Sequence, residues 1–118
     1  MKIAVIGKVN PGLTYDEWVS KFQTKVDVAF VSRFNITAGN NNLNLYVARY
    51  ANENNINVVR FSTSFDAGCR DYSRLLRNIA MVEDSDLIVG FTPNGTAKET
   101  CLYTPAYKHG KRVIVIKY

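Results

Sequence analysis

Three arginines and one glutamate carry the strongest chemical signal in this sequence of 118 residues. Arg70, Arg74 and Arg77 are spaced i, i+4, i+7, which lines three guanidinium groups along one face of a helix. The planar fork of arginine grips a phosphate or a carboxylate through two parallel hydrogen bonds. The same spacing serves a solvated face salt-bridged to Asp66, Asp71 or Glu83, so for Arg70 and Arg74 both readings stand. Farther along, in "FTPNGTAKET", Gly95 and Thr96 can form a small anion nest, and Thr96 can also cap a helix. Glu99 then falls in that helix's first turn, where the macrodipole favours a carboxylate in any case. The sharper expectation is that Arg77 and Glu99 converge over one ligand. Two further groups could touch it. Asn40, Asn41, Asn42 and Asn44 can hydrogen-bond a base or ribose, although clustered asparagines more often make turns. Tyr46, Tyr50, Tyr72, Tyr103 and Tyr107 can stack a base or line an oligomer contact, with core packing as the default.

Composition narrows the ligand classes. Hydrophobic residues make up 47% of the chain and charged residues 21%, as in ordinary globular domains, so one domain spanning residues 1–118 is expected. The longest apolar runs, "IAVIG" and "VIVI", fall far short of the roughly 20 residues that cross a bilayer. Met1-Lys2 leads directly into a strand pattern without the features of a signal peptide, so a cytoplasmic protein is expected. Cys69 and Cys101 are isolated and His109 is the single histidine, which provides no zinc-ligand spacing; reduced structural thiols, no metal and no cofactor are expected. Fifteen cations against ten anions suit an anionic ligand, and equally a plain solvated surface. No arginine-rich run and no nucleic-acid-reading motif is present, which argues against a sequence-specific nucleic-acid partner.

The elements that must position these residues alternate between strand and helix. "KIAVIG", residues 2 to 7, reads as a central strand covered on both faces. Thr14 and Glu17 have capping-box spacing and Leu13 can staple onto Trp18, so a helix should start at Thr14, with Tyr15, Trp18, Val19 and Phe22 on its buried face. "VDVAFVS", 26 to 32, alternates and predicts a second strand. "RFNITAGNNN" is either another short strand at "FNIT" or a long loop. A helix follows from about Leu43, a strand over 56–62, a helix from about Arg70 to Asp84, and two buried strands in "SDLIVGF" and "KRVIVIK". Pro105 makes the helix between these two short, irregular or kinked. Alternating strands and helices predict a Rossmann-like, doubly wound, mainly parallel α/β sheet of about five strands in three αβα layers. Ligands bind such sheets beyond the carboxyl ends of the strands, which brings the loops 7–13, 38–43 and 91–99 to the site.

"LLRNIAMVEDSDLIVGF" resembles the central signature of the SLOG superfamily, which includes LOG-type phosphoribohydrolases, YspA-like proteins and the DNA-processing protein DprA. The residues matching the LOG-type pattern are Arg77, Met81, Ser85-Asp86, Pro93, Gly95-Thr96 and Glu99. The overall size, the Arg77-Asn78 pair and the opening "MKIAVIGKVN", with Gly7 and Asn10, are more similar to the YspA-like branch. That branch's glycine-rich phosphate loop falls on "AGNNNLN", residues 38 to 44, where only Gly39 keeps a glycine and Asn44 replaces an acid. After the strand, the loop is one residue shorter than the LOG-type loop, and Asn94-Gly95 stands where paired glycines would.

The resemblance implies a nucleotide or nucleotide-derived ligand contacted by Gly7, Lys8, Asn10, Gly39, Asn40, Asn41, Asn42, Arg70, Arg74, Arg77, Asn78, Pro93, Asn94, Gly95, Thr96 and Glu99. It also implies a homo-oligomer with pockets near subunit contacts. The leading expectation is a sensor, or a sequestering protein of the kind phages raise against signalling nucleotides. The alternative is a LOG-like N-glycosidase in which Glu99 stabilises oxocarbenium character or activates water while Arg77 holds the phosphate or leaving group. A third class, a DprA-like single-strand DNA binder, uses the basic charge but lacks a visible cationic groove with interleaved aromatics.

Overall fold

The computed structural model describes residues 1–62, 70–92 and 110–117, and for residues 70–75 the backbone alone. Five strands, β1 (Lys2–Gly7), β2 (Arg33–Thr37), β3 (Asn57–Phe61), β4 (Leu87–Thr92) and β5 (Arg112–Lys117), form one sheet in the order β3-β2-β1-β4-β5. Every neighbouring pair is parallel. Among the described residues, three helices lie between the strands: α1 (Tyr15–Lys25), α2 (Asn42–Glu53) and α3 (Arg70–Glu83). This is the expected Rossmann-like α/β architecture. The central strands β1 and β4 are almost wholly buried, which explains their unbroken apolar sequences.

The strand pleat divides the core into two layers. Ile3, Val5, Leu87, Val89 and Phe91 pack against α1 and α2, where Trp18, Phe22, Val47 and Tyr50 are fully or nearly fully buried. Ala4, Ile6 and Ile88 face the other way and pack against Met81 and Val82 of α3. The first layer is largely aromatic: Trp18 stacks on Phe22 at 5.3 Å and meets Phe91 at 5.5 Å and the edge of Tyr50 at 5.8 Å. Rings at these separations add favourable quadrupole contacts to their area burial. Tyr46 and Tyr50 therefore serve the core, as their default reading expected. Among the described residues no helix is long and apolar enough to cross a membrane.

Local sequence explains where the helices begin. Thr14 caps α1 by accepting from the Glu17 N–H at 3.2 Å, while the Glu17 carboxylate accepts from the Thr14 N–H at 3.2 Å and its hydroxyl at 2.9 Å. These Thr14 contacts hold the Glu17 carboxyl below the ordinary carboxylate range. Leu13 is buried in the same cluster as Trp18, as a staple requires.

One expected strand is corrected. Residues 26 to 32 do not form a strand: Val26 closes α1 by donating to Phe22 O at 3.0 Å, and Val28–Phe30 make a single 3₁₀ turn. Asp27 causes the turn, its carboxylate accepting from the Ala29 N–H at 3.0 Å. The β-branched alternation instead buries Val26 and Val31 from irregular chain. The second strand is the following segment, Arg33–Thr37. The expected helix around Pro105 lies outside the described residues.

Candidate functional site

The strand order turns back between β1 and β4, because the chain leaves β1 toward β2 and returns on its far side as β4. In parallel sheets a switch point of this kind is where ligands bind, in the crevice beyond the carboxyl ends of the two strands; here the connection leaving β4 lies outside the described residues. Gly7 closes β1 with φ of +118°, and a Cβ placed there would lie 2.0 Å from Phe91 O. Only glycine fits both constraints. Lys8 then donates its N–H to the same carbonyl at 3.1 Å, carrying the β1–β4 pairing one residue past the strand. Asn10 O accepts from the Leu13 N–H at 2.9 Å, so this loop is folded back to deliver the α1 cap. Lys8 and Asn10 are exposed beside the crevice.

At the facing strand end stands a residue the sequence reading passed over. Thr92, the last residue of β4, is fully buried, and its hydroxyl has no hydrogen-bond partner among the described residues. Period-2 alternation puts it on the α3 side of the sheet with Ile88. A buried hydroxyl without a partner costs about 1–3 kcal/mol, so it marks a place where a partner is expected. Its only sequence signal was a hydroxyl residue ending the apolar run "LIVGFT".

The loop between β2 and α2 carries the asparagine cluster. Asn41 caps α2, its side-chain oxygen accepting from the Asn44 N–H at 2.8 Å. The Asn44 amide, nearly fully buried, donates to Thr37 O at 3.0 Å, Thr37 Oγ1 at 3.0 Å and Gly39 O at 2.7 Å. An ionised carboxylate in that place could donate none of these bonds. Gly39 lies in open space, with nothing within 4 Å of an added Cβ. The loop therefore keeps its course through asparagine side chains, the turn chemistry favoured above. Asn40 and Asn42 remain exposed on its rim.

Arg77 and Asn78 are joined. Asn78 is buried, and its side-chain oxygen accepts from Arg77 Nε at 3.1 Å and from Nη2 of the same guanidinium at 3.0 Å. The Nε–Nη2 edge of the fork is thus held by its own neighbour, which orients the group. Helix α3 leads from the carboxyl end of β3 to the start of β4, so Arg70 and Arg74 stand in its turns nearest the crevice edge of the sheet. Pro93, Asn94, Gly95, Thr96 and Glu99, and with them the meeting of Arg77 and Glu99, lie outside the described residues.

A polar network that sequence reasoning missed pins the opposite edge of the sheet. Asn35, fully buried on β2, donates to Asp84 Oδ2 at 3.1 Å and Ser85 Oγ at 2.9 Å, and accepts from Arg33 Nε at 3.0 Å. Asp84 also pairs with Arg33 and, at 3.4 Å, with Lys2 Nζ. Ser85 donates to Met81 O at 2.6 Å. Asp86 braces the strand start, its carboxylate accepting from the Lys2 N–H at 2.8 Å. On the other face, Arg49 lies 4.0 Å over the Tyr15 ring and bonds Glu53 at 3.1 Å, while the Tyr15 hydroxyl donates to Glu53 at 2.8 Å. Burial first, and then the Glu53 carboxylate, push the Tyr15 hydroxyl well above its ordinary range; the Tyr15 and Arg49 bonds hold Glu53 below its own.

Among the described residues, no group of three His, Cys, Asp or Glu side chains is placed to hold a metal ion. The chain matches no family model, no curated protein and no solved structure.

Proposed function

We propose that this chain is a small SLOG-type protein that binds a nucleotide or nucleotide-derived molecule in the β1–β4 crevice, as a sensor or a sequestering protein. The observation that carries the reading is a buried hydroxyl without a partner among the described residues, that of Thr92, at the strand end next to Gly7, where β1 and β4 pack backbone to backbone. A ligand oxygen in the crevice would satisfy that hydroxyl. Lys8 and Asn10 would contribute a cation and an amide from the β1 side. Arg77, oriented by Asn78, would approach from α3, and the Gly95-Thr96-x-x-Glu99 loop would complete the site.

The hydrolase alternative keeps its sequence support in Arg77 and Glu99. The test separates the two. Purified protein is incubated with nucleoside monophosphates, dinucleotides, cyclic oligonucleotides and cyclic ADP-ribose isomers, and thermal shift and mass spectrometry are read on the same samples. The expected result is stabilisation by one ligand class with every molecule recovered intact. Release of free base and ribose phosphate, abolished by Glu99→Gln, would replace the binder with an N-glycosidase. No shift with any member would contradict both.

A further inference from the structure

A second cleft lies at the opposite edge of the sheet, under the start of β4 and β5 and the end of α1. Its volume is about 430 Å³, within the roughly 300–1,000 Å³ of small-molecule sites. Val26, Leu87 and Ile114 form its apolar floor, and Phe30 on the 3₁₀ turn forms its lip. Phe30 is 67% exposed, an unusual position for a large aromatic ring on a chain that buries Phe22, Phe34 and Phe91 completely.

The lip is held in place. Asp27 caps the 3₁₀ turn through the Ala29 N–H, and the Ser32 N–H donates to Met1 O at 2.8 Å, tying the end of the turn to the start of the chain. Holding the ring outward in this way maintains a concave surface in the unliganded protein. The charges around it are unequally engaged. The two carboxylates in the lining, Asp27 and Asp86, each accept a backbone N–H, from Ala29 and Lys2. The cationic side chains of the lining, Lys25 and Arg112, enter no ion pair among the described residues.

We infer that this cleft binds a small organic anion with an apolar body, an aromatic or short-chain carboxylate. The body would lie on Val26, Leu87 and Ile114 beneath Phe30, with the carboxylate toward Lys25 and Arg112. Concavity favours a small ligand over a flat protein partner. The formal charge of +5 opposes self-association through a face bearing unpaired cations. The site is separate from the crevice, since it lies at the other end of the strands.

The test uses 1-naphthaleneacetate and its neutral isostere 1-naphthaleneacetamide, titrated into the isotope-labelled full chain and followed by backbone amide NMR. The acid should shift the resonances of residues 26–30, Leu87 and Ile114 and bind about tenfold more tightly than the amide. The surface double variant Lys25→Gln/Arg112→Gln should remove that preference and leave the affinity for the amide unchanged. Equal binding of acid and amide would overturn the proposal, as would shifts confined to Gly7, Lys8 and Thr92 or no shifts at millimolar ligand. Tighter binding of an acidic tryptophan-containing tripeptide than of the acid would also overturn it, in favour of a protein partner.

Discussion

The two ends of the parallel sheet treat their polar groups in opposite ways. At the amino edge, Asn35, Asp84, Ser85, Arg33 and Lys2 bond one another, and their buried members leave no side-chain donor or acceptor unpartnered. At the carboxyl edge, the Thr92 hydroxyl is as deeply buried and has no partner among the described residues. A network with every member satisfied fixes one arrangement of β2 against α3, whereas an unsatisfied hydroxyl lowers stability until something binds it. The satisfied network is thus at one end and the unsatisfied hydroxyl at the other.

The largest effect should come from the strand end that shapes the crevice. Gly7→Ala has to place a Cβ against Phe91 O at a positive φ, and chemical denaturation should show a loss of about 3 kcal/mol. Asn35→Ala at the opposite edge should cost about 2 kcal/mol, because it strips Asp84 and Ser85 of a buried donor. Thr92→Val should have the reverse sign. Removing an unpartnered hydroxyl while keeping its shape should raise the stability of the unliganded chain by about 1 kcal/mol, and a loss in the same denaturation series would break the comparison.

The smallest effect concerns the Tyr15–Glu53 pair. The Tyr15 hydroxyl titrates above its ordinary value of 10.0, so its contribution is fully present below that pH. Above it the unfolded chain ionises first, and stability falls as pH rises. Glu53 titrates below its ordinary range, so its contribution is present above the usual carboxylate pKa and fades as pH drops through the lowered value. A stability profile against pH should show both slopes, and Tyr15→Phe should remove the alkaline one and weaken the acidic one.

The fold was legible where a local rule and a tertiary need coincide. "KIAVIG" and "LIVGF" are strands because both faces are covered, and Thr14-x-x-Glu17 is a capping box both in the sequence and in the structure. Legibility failed where one side chain overrode a pattern. Asp27 converts an alternating β-branched run into a 3₁₀ turn, and β2 is disguised by Arg33 and Asn35, whose partner Asp84 lies about fifty residues away in sequence. Four nearby asparagines allowed a turn to be expected, but not that Asn41 would cap α2 while Asn44 tied the loop. Of the candidate site, Gly7 was readable from the glycine that ends β1. Thr92 was not, since a missing partner is a property of the folded surroundings and leaves no mark in the sequence.

The most direct test of the central claim compares wild type and Thr92→Val, using the member of the nucleotide panel that gives the largest thermal shift. Calorimetric titration and denaturation are run on both proteins. The valine chain should be the more stable unliganded and bind about tenfold more weakly, as loss of one buried hydrogen bond to the ligand requires. Equal affinity, or a valine chain less stable than wild type, would show that the hydroxyl at the end of β4 is not held for a ligand.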